Sequence, residues 1–109
     1  MSALELAAAY RAGQASPTEA VDAFMARIGA HSDALGAFVT VTADAARTKA
    51  QRATEKLRAA LVSGDALPPL FGIPTAVKDL NSTAGVRTTF GSVVFADFVP
   101  TVSDEIVLR

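Results

Sequence analysis

The chain has no cysteine, a single histidine, and only six phenylalanines and one tyrosine in 109 residues. Without cysteine, disulfides and thiolate metal sites are excluded. His31 stands alone, so an imidazole-based metal site lacks its second ligand. No phosphate-binding glycine loop and no metal-ligand spacing appears, so neither a cofactor nor a metal is expected. The formal net charge is −1 with the two signs interspersed. No basic stripe argues for nucleic acid and no like-charge block argues for a tail. Glu5 interrupts the start, no basic segment precedes an apolar run, and no run approaches membrane-spanning length. A soluble, cytoplasmic protein without a membrane partner is the expectation. Half of the residues are hydrophobic (50%), but many are alanines, which bury little area. A thin core within one small domain follows.

What is present is mostly helix punctuation. Ser2 with Glu5 fits a capping box, and a helix to about Ala12 should end near Gly13. Ser16-Pro17-Thr18-Glu19 repeats the signal with proline at the first helical position. Val21, Phe24, Met25 and Ile28 then recur at helical spacing, and this helix is expected to end near Gly29, with His31 just beyond as a capping or solvated residue. Ala37–Val41 reads as a short strand. The next helix starts at Thr42 or Asp44 and runs to about Leu61 or Val62, with Ala46, Ala50, Ala53, Leu57 and Leu61 on its slim apolar face. Arg47, Lys49, Arg52, Lys56 and Arg58 form a solvated face, since acidic residues are mixed among them. Pro68-Pro69 forbids any continuation of the helix. A second strand is expected over Thr75–Lys78, after Pro74, and Asn81–Gly85 reads as a turn. Val86–Thr89 can extend again before Phe90-Gly91-Ser92 breaks it. Beyond Pro100, Thr101 or Ser103 should cap a last short helix carrying Asp104 and Glu105 in its first turn. This order suggests an α/β layer with only two or three short strands.

Two positions can carry chemistry. Lys78 closes the apolar segment Leu70–Val77. A lysine acts as base or nucleophile only when deprotonated, which requires its pKa to move from about 10.4 toward 7–8. Asp79 opposes that if its carboxylate faces the ammonium, but successive strand side chains point to opposite faces. The plainer reading of Lys78 is a strand-end charge. Ser92 follows Gly91 in a turn, but Thr88-Thr89-Phe90-Gly91-Ser92-Val93 lacks the paired glycines of a nucleophile elbow. Ser92 therefore reads as a turn residue.

A resemblance shifts these readings. Leu70-Phe71-Gly72-Ile73-Pro74-Thr75-Ala76-Val77-Lys78-Asp79 closely resembles the segment that bears the catalytic lysine in amidase signature enzymes. The likeness continues through Thr83-Ala84-Gly85-Val86-Arg87-Thr88-Thr89-Phe90-Gly91-Ser92 and Asp97-Phe98-Val99-Pro100. Upstream, the Ser16–Glu19 helix start, the Ala37–Val41 segment and the alanine-rich helix fall in the family's order, so essentially the whole chain is covered.

The resemblance implies an α/β fold, a mixed sheet flanked by helices, of which residues 1–109 form the N-terminal helices and first strands. It also implies a Ser–cis-Ser–Lys triad. Lys78 matches the triad lysine, a neutral base acting through a bridging serine on the nucleophilic serine. The product would be an acyl-enzyme from a small carboxamide, with ammonia or an amine released. Both serines and the oxyanion-hole amides lie downstream in the family, in a glycine- and serine-rich segment that these residues do not contain. Ser92 matches a family position near the site but takes no triad role. The expectation is an incomplete amidase domain, inactive alone. The alternatives are a portion of the glutamine-hydrolysing A subunit of a tRNA-dependent amidotransferase, which needs partner subunits, and a non-catalytic interaction module or remnant. Incompleteness further implies that Ile73, Val77 and their neighbours are exposed or covered by another chain, and that the exposed apolar surface supports self-association.

Overall fold

Ser2 and Glu5 close a reciprocal capping box. The Glu5 amide donates to Ser2 Oγ at 3.2 Å, and the Ser2 amide donates to Glu5 Oε2 at 2.5 Å. From this cap α1 spans Ala3–Arg11 in a computed structural model that describes all of residues 1–109. The next cap pairs Ser16 with Glu19, whose amide donates to Ser16 Oγ at 3.3 Å. It starts α2, Pro17–Leu35, and the third long helix, α3, spans Ala43–Ser63. A 3-10 turn at Val93–Phe95 and a one-turn α4 at Glu105–Leu108 complete the elements. No strand forms; the only β pairing is an isolated antiparallel bridge between Thr83 and Val86.

The chain divides into two compact units, one of Met1–His31 with Ala43–Pro74 and the other of Ser32–Thr42 with Thr75–Arg109. The first holds the core. Tyr10, Ala20 and Leu57 are buried together, with Leu6, Ala15, Leu67, Phe71 and Ile73 packed against them. Thr54 adds a buried polar pin, because its hydroxyl accepts from the Thr18 amide at 3.2 Å and pairs with the Thr18 hydroxyl at 2.8 Å. Those bonds satisfy groups that would otherwise be costly to bury. They also tie α3 to the first turn of α2. The Tyr10 hydroxyl donates to the Gly72 carbonyl at 3.3 Å, which fastens the 70–73 turn onto the same core.

The second unit has no comparable core. Its buried residues are Ser32, Thr88, Thr89 and Pro100. Phe90, Phe95 and Phe98 pack as a trio, with ring centroids 5.3–6.0 Å apart. Phe95 and Phe98 are nevertheless exposed. Main-chain bonds do much of the holding, among them Thr88 N to Phe98 O and Gly85 N to Pro100 O, both 2.9 Å.

Four expectations need correction. The α/β layer with a mixed sheet is not formed within these residues: Ala37–Val41, Thr75–Lys78 and Val86–Thr89 form no strands. A strand takes its stability from hydrogen-bonded neighbours, and short extended segments without a sheet to join do not hold a ladder. Instead the Phe38 amide donates to Ser32 Oγ at 3.1 Å, and the Arg87 guanidinium donates to the Val39 carbonyl at 3.1 Å. The second helix runs through Gly29 and ends before Gly36, which has φ +59° and provides the left-handed exit. Glycine within a helix costs about 1 kcal/mol, too little to stop one flanked by good helix formers. His31 is consequently an exposed helical residue, not one beyond the helix. The last helix is N-capped by Asp104. Ser103 accepts from the Ala84 amide at 2.9 Å instead.

Other expectations hold. α1 stops ahead of Gly13, α3 lies within a residue or two of its expected bounds, and the 81–85 turn closes with Val86 N donating to Thr83 O at 3.0 Å. The five basic residues of α3 are all exposed. On the apolar side Ala50 and Leu57 are buried as expected, but Thr54 and Ala60 join them while Leu61 is exposed. No helix is long and apolar enough to cross a membrane.

Candidate active site around Lys78

Pro74 lacks an amide donor, so the chain entering Thr75–Lys78 starts without one ladder bond. Thr75, Ala76, Val77 and Lys78 are all exposed, Val77 at 51%. Ile73, by contrast, is half-buried against the Tyr10 cluster. The exposure expected of an incomplete site thus holds for Val77 and not for Ile73. The Lys78 carbonyl accepts from the Asn81 amide at 2.9 Å, which begins a turn directly after the lysine. The Lys78 ammonium makes no ion pair and no side-chain hydrogen bond.

Asp79 explains the absence of a pair between neighbours. Its carboxylate faces away, toward the turn at Thr89–Gly91. It accepts from the Thr89 amide at 2.8 Å, from the Thr89 hydroxyl through a short bond, and from the Gly91 amide at 3.3 Å. The Asp79 carbonyl also accepts from the Phe90 amide at 3.2 Å. The Thr89 hydroxyl and amide hold the Asp79 carboxyl below the usual carboxylate range, with smaller help from the Gly91 amide and the Arg87 charge. Phe90 has φ +53°, the one non-glycine residue in the left-handed region, followed by Gly91 at φ +69°. A bulky side chain is rare there and disfavoured by about 1–2 kcal/mol.

Arg87 fastens the other side of this turn. Its guanidinium donates to the carbonyls of Ala96 and Val39, and its own carbonyl accepts from the Thr40 hydroxyl at 3.2 Å. Ser92 is half-buried and N-caps the 3-10 turn, its hydroxyl accepting from the Val94 amide at 3.3 Å. Lys78 and Ser92 share no hydrogen bond. The structure therefore presents a lysine, a carboxylate-clamped turn beside it, and a capping serine. It has no group of three or more acidic or imidazole side chains placed to hold a metal. An open groove of about 580 Å³ lies elsewhere, lined by Tyr10, Ser16, Glu19, Thr54 and Arg58 among others, and contains neither Lys78 nor Asp79.

The Asp79 clamp was missed from the sequence. Its donors lie ten to twelve residues away in a turn with no strong signature, and only Gly91 signals an unusual backbone. Arg87 gave no signal at all, since its partners are carbonyls.

Comparison with known proteins then defines the class. The sequence profile of the amidase family matches residues 19–109, and the chain belongs to that family. It is 38% identical over 108 residues to the A subunit of the glutamyl-tRNA(Gln) amidotransferase of Lachnospira eligens, covering 99% of this chain and 22% of that protein. It is 42% identical over 108 residues to the same-named protein of Salinispora tropica, covering 99% of this chain and 21% of that protein. A putative amidase of Synechocystis is 34% identical over 109 residues, all of this chain and 21% of its own length. The chain spans about a fifth of the length of these relatives. Membership in this family fits an α/β fold, although no sheet forms within residues 1–109.

Proposed function

We propose that residues 1–109 are the N-terminal part of a single amidase signature domain and supply its catalytic base, Lys78. The supporting observation is positional. The string Leu70–Asp79 lies inside the family match, and its Lys78 is exposed and forms no ion pair with any carboxylate. In this reading Lys78, in its neutral form, withdraws a proton through a bridging serine from a nucleophilic serine. The serine attacks the carboxamide carbon, ammonia or an amine leaves, and water hydrolyses the acyl-enzyme. Both serines and the oxyanion-hole donors come from sequence outside these residues, as does the apolar enclosure that a lysine base requires. The substrate is a small amide, and the setting is cytoplasmic.

The relatives' names favour a second version of the same chemistry. Here the amide is the side chain of glutamine, and the released ammonia serves a tRNA-dependent amidation carried out with partner subunits. Both versions share Lys78 and differ in what surrounds the substrate.

The test joins residues 1–109 to the remainder of the Lachnospira eligens protein and compares ammonia release with that of 1–109 alone. Release from a panel of small amides or glutamine by the joined protein only is the expected result. No release by the joined protein, or equal release by 1–109 alone, overturns the reading.

A further inference from the structure

We infer that Asp79 is a positioning residue for Lys78: its carboxylate locks the Thr89–Gly91 turn and so fixes the backbone from which the lysine projects. The inference rests on the reading of Lys78 as the base and goes beyond it by assigning the neighbour. Three observations carry it. First, one carboxylate takes three donors from a single turn, the Thr89 amide, the Thr89 hydroxyl and the Gly91 amide. Phe90 and Gly91 both have positive φ, and the turn they form brings the Thr89 and Gly91 amides to one anion. Asp79 supplies the anion internally.

Second, the main chain repeats the link. Phe90 N donates to the Asp79 carbonyl at 3.2 Å, and Asn81 N donates to the Lys78 carbonyl at 2.9 Å. The peptide units on both sides of Asp79 are therefore held. Nothing equivalent holds the lysine side chain, so its root determines where the amine can reach. Third, the clamp sits where the backbone is strained. Phe90 in the left-handed region persists only if its surroundings over-determine it, and such strain gathers at functional sites. The unit around Lys78 offers only the partly exposed packing of the Phe90 ring on Phe95 and Phe98, so charge-assisted hydrogen bonds share the role.

The carboxylate's direction matters equally. A carboxylate turned onto the ammonium would favour its charged form, the wrong form for a base. By accepting from Thr89 and Gly91, Asp79 is kept off the amine it sits beside.

The experiment has two arms. In residues 1–109, backbone ¹⁵N relaxation is measured for wild type, Asp79→Asn, Thr89→Val and Thr89→Ser. The order parameter at Lys78 is expected to fall from the rigid range of about 0.85 toward 0.6 in Asp79→Asn and Thr89→Val, and to be retained in Thr89→Ser, which keeps the hydroxyl. In the joined protein, kcat and KM for amide hydrolysis are measured for the same variants beside Lys78→Ala. Asp79→Asn should lower kcat about a hundredfold, the cost of misplacing a reacting group by roughly 1 Å, with KM little changed. Thr89→Val should lower it in the same sense and Thr89→Ser should recover it. Unchanged order at Lys78 in Asp79→Asn, or unchanged kcat with only lowered stability, overturns the inference. Full activity in Lys78→Ala overturns the catalytic reading instead, and the relaxation arm then still decides whether Asp79 fixes Lys78.

Discussion

Gly72 carries two constraints at one Cα. Its φ is +75°, and an added Cβ would stand 2.7 Å from Pro17 Cγ and 3.5 Å from Tyr10 Cε2. Pro17 is fully buried and cannot swing aside. Gly72→Ala should therefore destabilise the chain by about 2–4 kcal/mol, from left-handed strain plus overpacking. Urea unfolding checks this, and an unchanged midpoint would contradict it. Asp79 makes a pH-dependent prediction. Its folded-state pKa is depressed, so the unfolded chain takes up the proton first as pH falls. The clamp's contribution is fully present above about pH 4, the unfolded carboxyl value, and is lost as pH falls through the lower folded value. The gap in urea midpoint between wild type and Asp79→Asn should be constant at neutral pH and close below about pH 4. The string Leu70–Asp79 was legible as a mark of the family. The roles of Gly72 and Asp79 were not, because each depends on a partner brought near by folding: Pro17 for one, Thr89 for the other.

At the scale of elements, capping chemistry made the helices readable. In Ser2–Glu5 and Ser16–Glu19 the serine hydroxyl accepts from the glutamate amide and the glutamate carboxylate accepts from the serine amide, so the start is written locally. Gly29 misled because composition does not reveal φ; the helix ends at the glycine with positive φ, Gly36. Gly29 is exposed, and an added Cβ there would meet nothing within 4 Å. Gly29→Ala should thus stabilise by about 1 kcal/mol, read as a higher urea midpoint, while destabilisation would contradict a continuous α2. The strands failed for the opposite reason. Ala37–Val41 and Thr75–Lys78 have strand-like composition, but a sheet is a property of several segments together, and none forms within residues 1–109.

For the whole molecule, the uneven distribution of burial is the main fact. The helical unit encloses Tyr10, Ala20 and Leu57, whereas the unit bearing Lys78 leaves Val93, Val94, Val102, Ile106 and Leu108 exposed. Scattered apolar residues are ordinary, but this many in one small unit favour association. Residues 1–109 should therefore show a sedimentation coefficient that rises with concentration, and the joined protein should not. A strictly monomeric chain at high concentration would contradict the idea that this surface needs cover. The proposed amide cleavage depends on Lys78. The direct measurement is the single-turnover rate of amide cleavage by the joined protein with and without Lys78→Ala. Loss of the base should cost about 10²- to 10⁴-fold in rate with the fold intact by circular dichroism. A folded Lys78→Ala protein that cleaves amide at the wild-type rate would contradict it.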